Sequence, residues 1–327
     1  MAGRLPDDLV SEARHWLAGG RVVDVAQAVA FAALAGHVAV RRADANLLRA
    51  TLDEAGEDAE AITVLETAEA EPIPPFGLAP AGPEEIDEVP YSLDLTVAYD
   101  GPGKLDTVDE AARTAVEGIG TLGLWRSWRY PAVDTPWPPP RRVYLVQTNE
   151  EPWTAAAVVQ TALDEAGEVH PQVEAFADPG SLPVFQRTAL SFAALLWAST
   201  PAGPMPVTAA PTVFSADHSL LHDEEADRAM AYLEAGVPLL ITPERGPDVA
   251  ASGASATVPA GFRTDGNWIW SEAVAYYLGR YRFAPDSDLL DHLRRAGPTP
   301  PALDAVTLHR ALSALYSGLA ADSIGRS

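Results

Sequence analysis

Hydrophobic positions recur at helical spacing through residues 1–70. Leu47, Leu48 and Leu52, for example, fall on one face of a predicted helix. Four such stretches are separated by glycines, which commonly end helices, and each has an aspartate near its start, where negative charge is favourable. The pattern predicts a small helical bundle over residues 1–70.

The pattern then breaks at residues 71–90, EPIPPFGLAPAGPEEIDEVP. Six prolines and two glycines among these twenty residues disfavour regular structure, and the EEIDE run favours solvent exposure. We therefore predict a proline-rich linker at 71–90 and a domain boundary there.

Residues 91–200 return to strand and helix periodicities. Apolar residues alternate from Tyr91 to Tyr99, which is typical of a half-buried strand. Further segments follow as helix, strand, strand, helix and strand, at 107–120, 121–131, 143–148, 151–167 and 172–176. This βαββαβ order predicts a ferredoxin-like unit. Residues 182–199 are apolar almost all round and predict a buried helix.

Residues 201–327 predict a second α+β unit. A helix over 223–235 precedes an apolar strand, a hairpin and further helices that include 286–296 and 303–320. The fold class predicted for the whole chain is therefore α+β, with a helical C-terminus.

Aromatic residues concentrate in FRTDGNWIWSEAVAYYLGRYRF, residues 262–283. Asp265-Gly266 predicts a tight hairpin turn, and Ser271 predicts a helix cap. The stretch could form a packing corner, a partner-binding surface or a ligand pocket, because aromatic side chains suit all three. The candidate partner-binding or ligand-binding residues are Arg263, Asp265, Trp268, Trp270, Tyr277 and Tyr281.

The run VPAGFRTDGNWIWSEAVAYYLGRYRFAPDSDLLDHL resembles a C-terminal motif shared by uncharacterised proteins of high-GC Gram-positive bacteria. In those proteins an R-T-D-G-x-W-x-W core precedes a Y-Y-L helix and an acidic-Leu-Leu helix. The matching residues are Arg263, Thr264, Asp265, Gly266, Trp268, Trp270, Tyr276, Tyr277 and Leu278. The resemblance covers about the last two thirds of the chain and implies no established activity. Some of these proteins accompany secreted polymorphic toxins, so it implies an immunity-type role.

A second candidate patch is WRSWRY, residues 125–130. It combines two tryptophans with two arginines, and Trp125 and Arg126 could hold an anion or stack against a ring. On a strand, the tryptophans at 125 and 128 would face opposite sides.

His218 and His222 are weak candidates for metal ligands. They stand four residues apart, but Ser219 occupies the place where a metalloprotease helix needs glutamate. A helix start explains the cluster equally well, so we predict no metal and no cofactor. The chain also lacks the GxSxG, Walker A and GxGxxG motifs.

Charge narrows the possible partners. The net charge is −24, which disfavours nucleic acid and anionic membranes as partners. Such a charge would speed encounter with a basic protein, and it fits equally a role that is limited to keeping the protein in solution. The chain contains no cysteine, which excludes disulfides and thiol nucleophiles. The first residues, MAGRLPDDLV, do not resemble a signal peptide, so we expect a cytoplasmic protein.

These observations favour a non-catalytic, acidic protein-binding protein. The leading hypothesis is an immunity or antitoxin-type inhibitor of a basic partner. One alternative is an enzyme or small-ligand binder that uses a cleft between the two α+β units. Another is a structural subunit of a larger assembly.

Overall fold

The computed structural model describes residues 2–69, 71, 76–131, 139–209, 218–251 and 256–324. The chain forms two compact units, residues 1–201 and 202–327. Both units combine helices with sheets, which confirms the predicted α+β class.

The first unit contains seven helices and eight strands within its described residues. Its helices are α1 (Asp7–Ala18), α2 (Val22–Ala35), α3 (Arg42–Ala55), α4 (Glu60–Thr63), α5 (Thr107–Val116), α6 (Pro152–Glu165) and α7 (Val184–Ser191). Its strands are β1 (Val40–Arg41), β2 (Thr67–Ala68), β3 (Gly77–Ala79), β4 (Leu93–Asp94), β5 (Thr121–Tyr130), β6 (Arg141–Thr148), β7 (Gln172–Phe176) and β8 (Ala194–Ala198).

The four N-terminal helices divide between two cores. Helices α2, α3 and α4 pack around apolar side chains that include Ala30, Leu52 and Ile62. Helix α1 instead packs against α6 and β7 of the larger sheet layer, where Gln160 on α6 donates a hydrogen bond to the backbone oxygen of Ser11. The helices predicted over residues 1–70 are therefore present, and the first of them belongs to the sheet layer.

The main sheet has the strand order β4-β8-β5-β6-β7, with β3 also paired to β5. Strands β5 and β6 form an antiparallel hairpin, and α6 connects β6 to the parallel strand β7. In a ferredoxin-like unit the first and third strands are neighbours, whereas here β4 lies at the edge beside β8. The predicted ferredoxin-like arrangement is not confirmed.

Three local predictions differ from the structure. The helix predicted over 182–199 is wrong, because α7 ends at Ser191 and β8 follows within the sheet. An apolar run suits a buried strand as well as a buried helix, and periodicity alone does not separate them. The alternation from Tyr91 to Tyr99 yields only the two-residue strand β4. Within the predicted linker, β3 forms regular structure by pairing with β5.

The second unit is built around a four-stranded sheet of order β10-β13-β14-β9, with a separate β11–β12 pair. The strands are β9 (Val207–Thr208), β10 (Val237–Leu240), β11 (Arg245–Pro247), β12 (Ala256–Pro259), β13 (Phe262–Thr264) and β14 (Trp268–Ser271). The helices are α8 (Asp223–Ala235), α9 (Glu272–Tyr281), α10 (Ser287–Arg295) and α11 (Ala305–Ile324).

Strand β14 separates two apolar clusters of this unit because successive side chains point to opposite faces. Trp270 packs into the cluster formed with α8, α9 and α10, and Trp268 lies on the same side. Ile269 packs into the cluster formed with α11. The predicted hairpin and its division of faces are confirmed, with Arg263 paired to Trp270 across the strands.

Among the described residues, no helix combines the length and the apolar character that a bilayer crossing requires.

Candidate functional site

Asp265 is the centre of the aromatic corner, the name used here for residues 262–283. Its Oδ1 atom accepts hydrogen bonds from the backbone nitrogens of Asn267 (2.9 Å) and Trp268 (2.8 Å). Its Oδ2 atom accepts from the Tyr232 hydroxyl (2.8 Å) and from Nε2 of His292. Burial by itself raises the pKa of Asp265, but these hydrogen bonds outweigh it and hold the pKa below its usual value.

The rings of Trp268 and Trp270 pack beside the side chains that bind Asp265. Trp268 stacks on His292 with ring centroids 5.7 Å apart, and Tyr232 meets His292 edge to face. Trp270 is fully buried and donates from Nε1 to the Leu233 backbone oxygen at 3.3 Å. The Asp265 carboxylate therefore orients the His292 imidazole, and the Trp268 ring covers it. These contacts join α10 to the hairpin, and the Tyr232 hydroxyl joins α8 to it.

Arg263 also binds within its own unit. Its Nε atom donates to Glu272 Oε1 at 2.9 Å, and its Nη1 atom donates to the backbone oxygens of Glu234 and Gly236, each at 2.9 Å. The structure thus brings Arg263, Asp265 and both tryptophans together, and Arg263, Asp265 and Trp270 make side-chain hydrogen bonds within this unit.

Tyr277 and Tyr281 lie on α9 and face the loop that follows β11. The Tyr281 hydroxyl donates to Asp248 Oδ2 at 2.6 Å, and the Tyr276 hydroxyl donates to the same oxygen at 2.9 Å. The Tyr277 hydroxyl accepts from the backbone nitrogen of Val249 at 3.2 Å. These bonds attach the loop to the helix. The sequence did not identify Asp248, because no local motif marks a carboxylate that lies 28 residues or more from its partners.

Trp125 and Arg126 are buried in the main sheet of the first unit. Trp125 stacks on Phe176, and Arg126 forms an ion pair with the buried carboxylate of Asp109. Arg126 also donates to the backbone oxygens of Pro80 (2.9 Å) and Gly103 (2.8 Å). Its hydrogen bonds join two loops and α5 to β5.

Asp109 carries a further hydrogen bond from the Tyr144 hydroxyl, at 2.8 Å. Burial is the largest influence on this carboxyl and raises its pKa despite the neighbouring Arg126. We interpret Arg126 and Asp109 as a buried structural ion pair, because the guanidinium and the carboxylate bind each other.

His218 and His222 point to separate environments. His218 makes a 3.1 Å contact from Nε2 to the Ala284 backbone oxygen and packs against Phe283, whereas His222 is exposed just before α8. Within the described ranges, no group of three or more potential metal ligands converges.

The largest concentration of charge lies elsewhere. Residues 53–100 hold fourteen of the 46 Asp and Glu residues and none of the 22 Lys and Arg residues. Five of these carboxylates are exposed around the turn from α3 to α4, and we call them the acidic corner: Asp53, Glu54, Glu57, Asp58 and Glu60. Counting charge along the chain is the sequence signal that could have located it.

The acidic corner differs from the aromatic corner in its ion pairing. No ion pair among the described residues includes any of its five carboxylates. Gln27 on α2 donates to Glu57 at 3.3 Å, and Phe31, one helical turn further on, is 73% exposed. Leu47 on α3 and Val64 after α4 are also exposed. Exposed apolar side chains therefore occur on α2, on α3 and at the end of α4, the helices that carry or contact these carboxylates.

Comparison of the chain with protein-family models, with curated proteins and with solved structures finds no match.

Proposed function

We propose that this chain is a non-catalytic binding protein of the cytoplasm that holds a basic protein partner at its acidic corner. The proposed role is of the immunity or antitoxin type, in which binding covers the partner's working surface. The observation that carries the proposal is the set of five exposed carboxylates that form no ion pair with a described residue, together with exposed Phe31, Leu47 and Val64 on or directly after the helices that pack there.

Charge and apolar surface would contribute differently to this binding. Unpaired carboxylates attract a basic surface over about one Debye length, ~8 Å at physiological salt, and so accelerate encounter. Exposed apolar side chains add affinity once water is excluded from them. The association is therefore expected to weaken with salt mainly through a slower on-rate.

The experiment compares two variants that change net charge equally. In the first, the acidic corner is neutralised by Asp53→Asn, Glu54→Gln, Glu57→Gln, Asp58→Asn and Glu60→Gln. In the control, five exposed glutamates that form no ion pair with a described residue are neutralised by Glu117→Gln, Glu151→Gln, Glu165→Gln, Glu224→Gln and Glu234→Gln. Each tagged protein captures partners from a lysate of the native host at low and high salt. The captured protein is identified by mass spectrometry and purified for titration.

The proposal predicts a basic partner that binds the wild type and the control with equal affinity in a one-to-one complex. The acidic-corner variant should bind at least about tenfold more weakly, and the difference should shrink at high salt. Equal affinity of the two variants for the purified partner would contradict the proposal, as would binding that does not respond to salt.

A further inference from the structure

A cavity of about 630 Å³ lies within the second unit. Its walls come from helices α9 and α11, the β11–β12 pair and the sheet strands beside them. Representative wall residues are Val258, Phe262, Ala273, Val274 and Leu315.

The described lining contains no charged side chain. Its polar side chains are hydroxyl groups, on Thr208, Ser271 and Tyr277. The Ser271 hydroxyl accepts from the Ala273 backbone nitrogen at 3.2 Å as the cap of α9. A ligand that carries a charge would lose its hydration in this lining without gaining a counter-ion, which is costly. The side chains that line the cavity therefore favour an uncharged ligand.

Two glycines confirm open space in the walls. A Cβ atom built on Gly246 or on Gly318 would meet no other atom within 4 Å. Gly318 lies at an exposed position of α11, and Gly246 is half-buried in β11. Val249 and Leu319 also belong to the lining and are largely exposed, which gives the rim an apolar character.

One wall is fixed in place. The loop after β11 is held by the buried carboxylate of Asp248, which binds Tyr276 and Tyr281 on α9. Since this loop carries Val249 and follows Pro247, the same bonds set the position of that side of the cavity. A cavity with a fixed wall loses less conformational entropy on binding than a flexible surface does.

We propose that this cavity binds one uncharged, mainly hydrocarbon small molecule. Small-ligand pockets typically enclose about 300–1,000 Å³ and are lined by apolar groups with a few polar ones. The cavity has the corresponding size and lining. The inference concerns a different unit from the acidic corner and does not depend on the proposed protein partner.

The test uses the neutral fluorescent probe Nile red with the full-length protein. Gly318→Leu places a side chain into the rim, and Ala273→Leu fills the inner wall. Ser317→Leu is the matched control, because it adds the same side chain to the same helix at an exposed position outside the lining. Melting temperatures are recorded for all four proteins. Gly318→Leu should not lower the melting temperature, since leucine favours a helix more than glycine does.

The wild type and Ser317→Leu should bind Nile red saturably, with one probe per chain. Gly318→Leu and Ala273→Leu should bind at least about tenfold more weakly. Equal binding by Gly318→Leu and the wild type would overturn the proposal. A wild type that binds no probe would also overturn it, because the space would then be filled by a segment of the chain itself or by a partner's side chain.

Discussion

The aromatic corner and the acidic corner use their polar atoms in opposite ways. In the aromatic corner, Asp265 and Arg263 make hydrogen bonds to other residues of the same unit. In the acidic corner, the carboxylates from Asp53 to Glu60 are exposed and form no ion pair with any described residue. In the aromatic corner these polar atoms are thus used within the fold, whereas the acidic corner exposes carboxylates that a basic surface could bind.

The largest effect is expected where a charge would be left buried. Arg126→Met removes the counter-ion of Asp109, which is fully buried. Losing one partner of a buried ion pair typically costs about 3–5 kcal/mol, so the free energy of unfolding should fall by about that amount. Urea unfolding followed by tryptophan fluorescence measures it. Arg113→Met, which breaks the more exposed pair with Glu110, should change stability by less than about 1 kcal/mol. Similar losses for the two variants would refute the distinction.

The next prediction compares an aspartate-to-alanine substitution in each of the two corners. Asp265→Ala leaves the Tyr232 hydroxyl, His292 and two backbone nitrogens without their acceptor. At about 1–3 kcal/mol for a buried group left unsatisfied, the expected loss of stability is ~2–4 kcal/mol. Asp53→Ala should stay within about 0.5 kcal/mol of the wild type, as exposed substitutions usually do. A loss of stability below about 1 kcal/mol for Asp265→Ala would show that the hydrogen bonds to Asp265 do not hold the aromatic corner together.

Lowering the pH should remove part of the stability that ionised Asp265 contributes, and the loss should be smaller than that caused by Asp265→Ala. The pKa of Asp265 is lowered in the folded state, so its ionised form stabilises the fold above the unfolded pKa of about 3.9. This contribution is lost as the pH falls through the lower folded pKa, by at most about 1.4 kcal/mol per pH unit. The stability gap between the wild type and Asp265→Asn should therefore narrow as the pH falls below about 4. A gap that stays constant from pH 7 to pH 2.5 would contradict the assigned hydrogen bonds.

The smallest stability effect is expected at the acidic corner. Neutralising its five carboxylates removes mutual repulsion and breaks no ion pair with a described residue. Stability at physiological salt should change by no more than about 0.5 kcal/mol, and any change should be a gain that grows at low salt. Thermal unfolding at two salt concentrations measures this. A marked destabilisation would show that these carboxylates support the fold.

Short-range rules predicted the parts of the fold that depend on neighbouring residues. The Asp265-Gly266 turn, the shared face of Trp268 and Trp270, and the Ser271 cap all follow from local geometry. The strand order did not follow, because pairing β8 with β5 joins segments about 70 residues apart. The apolar run around Leu195 also gave no periodicity that separates strand from helix.

Contacts between residues far apart in the sequence also limited what could be predicted about the candidate sites. The sequence identified Asp265 but missed its partners Tyr232 and His292, which are 33 and 27 residues away. It placed Arg126 at a possible surface patch, because a strand pattern does not show that loops and α5 cover that face. The acidic corner is different, since a stretch rich in Asp and Glu and without Lys or Arg is visible in the sequence.

Hydrogen exchange tests the comparison most directly. Deuterium uptake is measured for the free protein and for its complex with the basic partner that the proposed function expects, by mass spectrometry of peptides that cover the whole chain. The account predicts slower exchange in peptides spanning residues 47–64 on binding and unchanged exchange across residues 262–283. Protection centred on residues 262–283, with none at 47–64, would contradict it and would make the aromatic corner the binding surface.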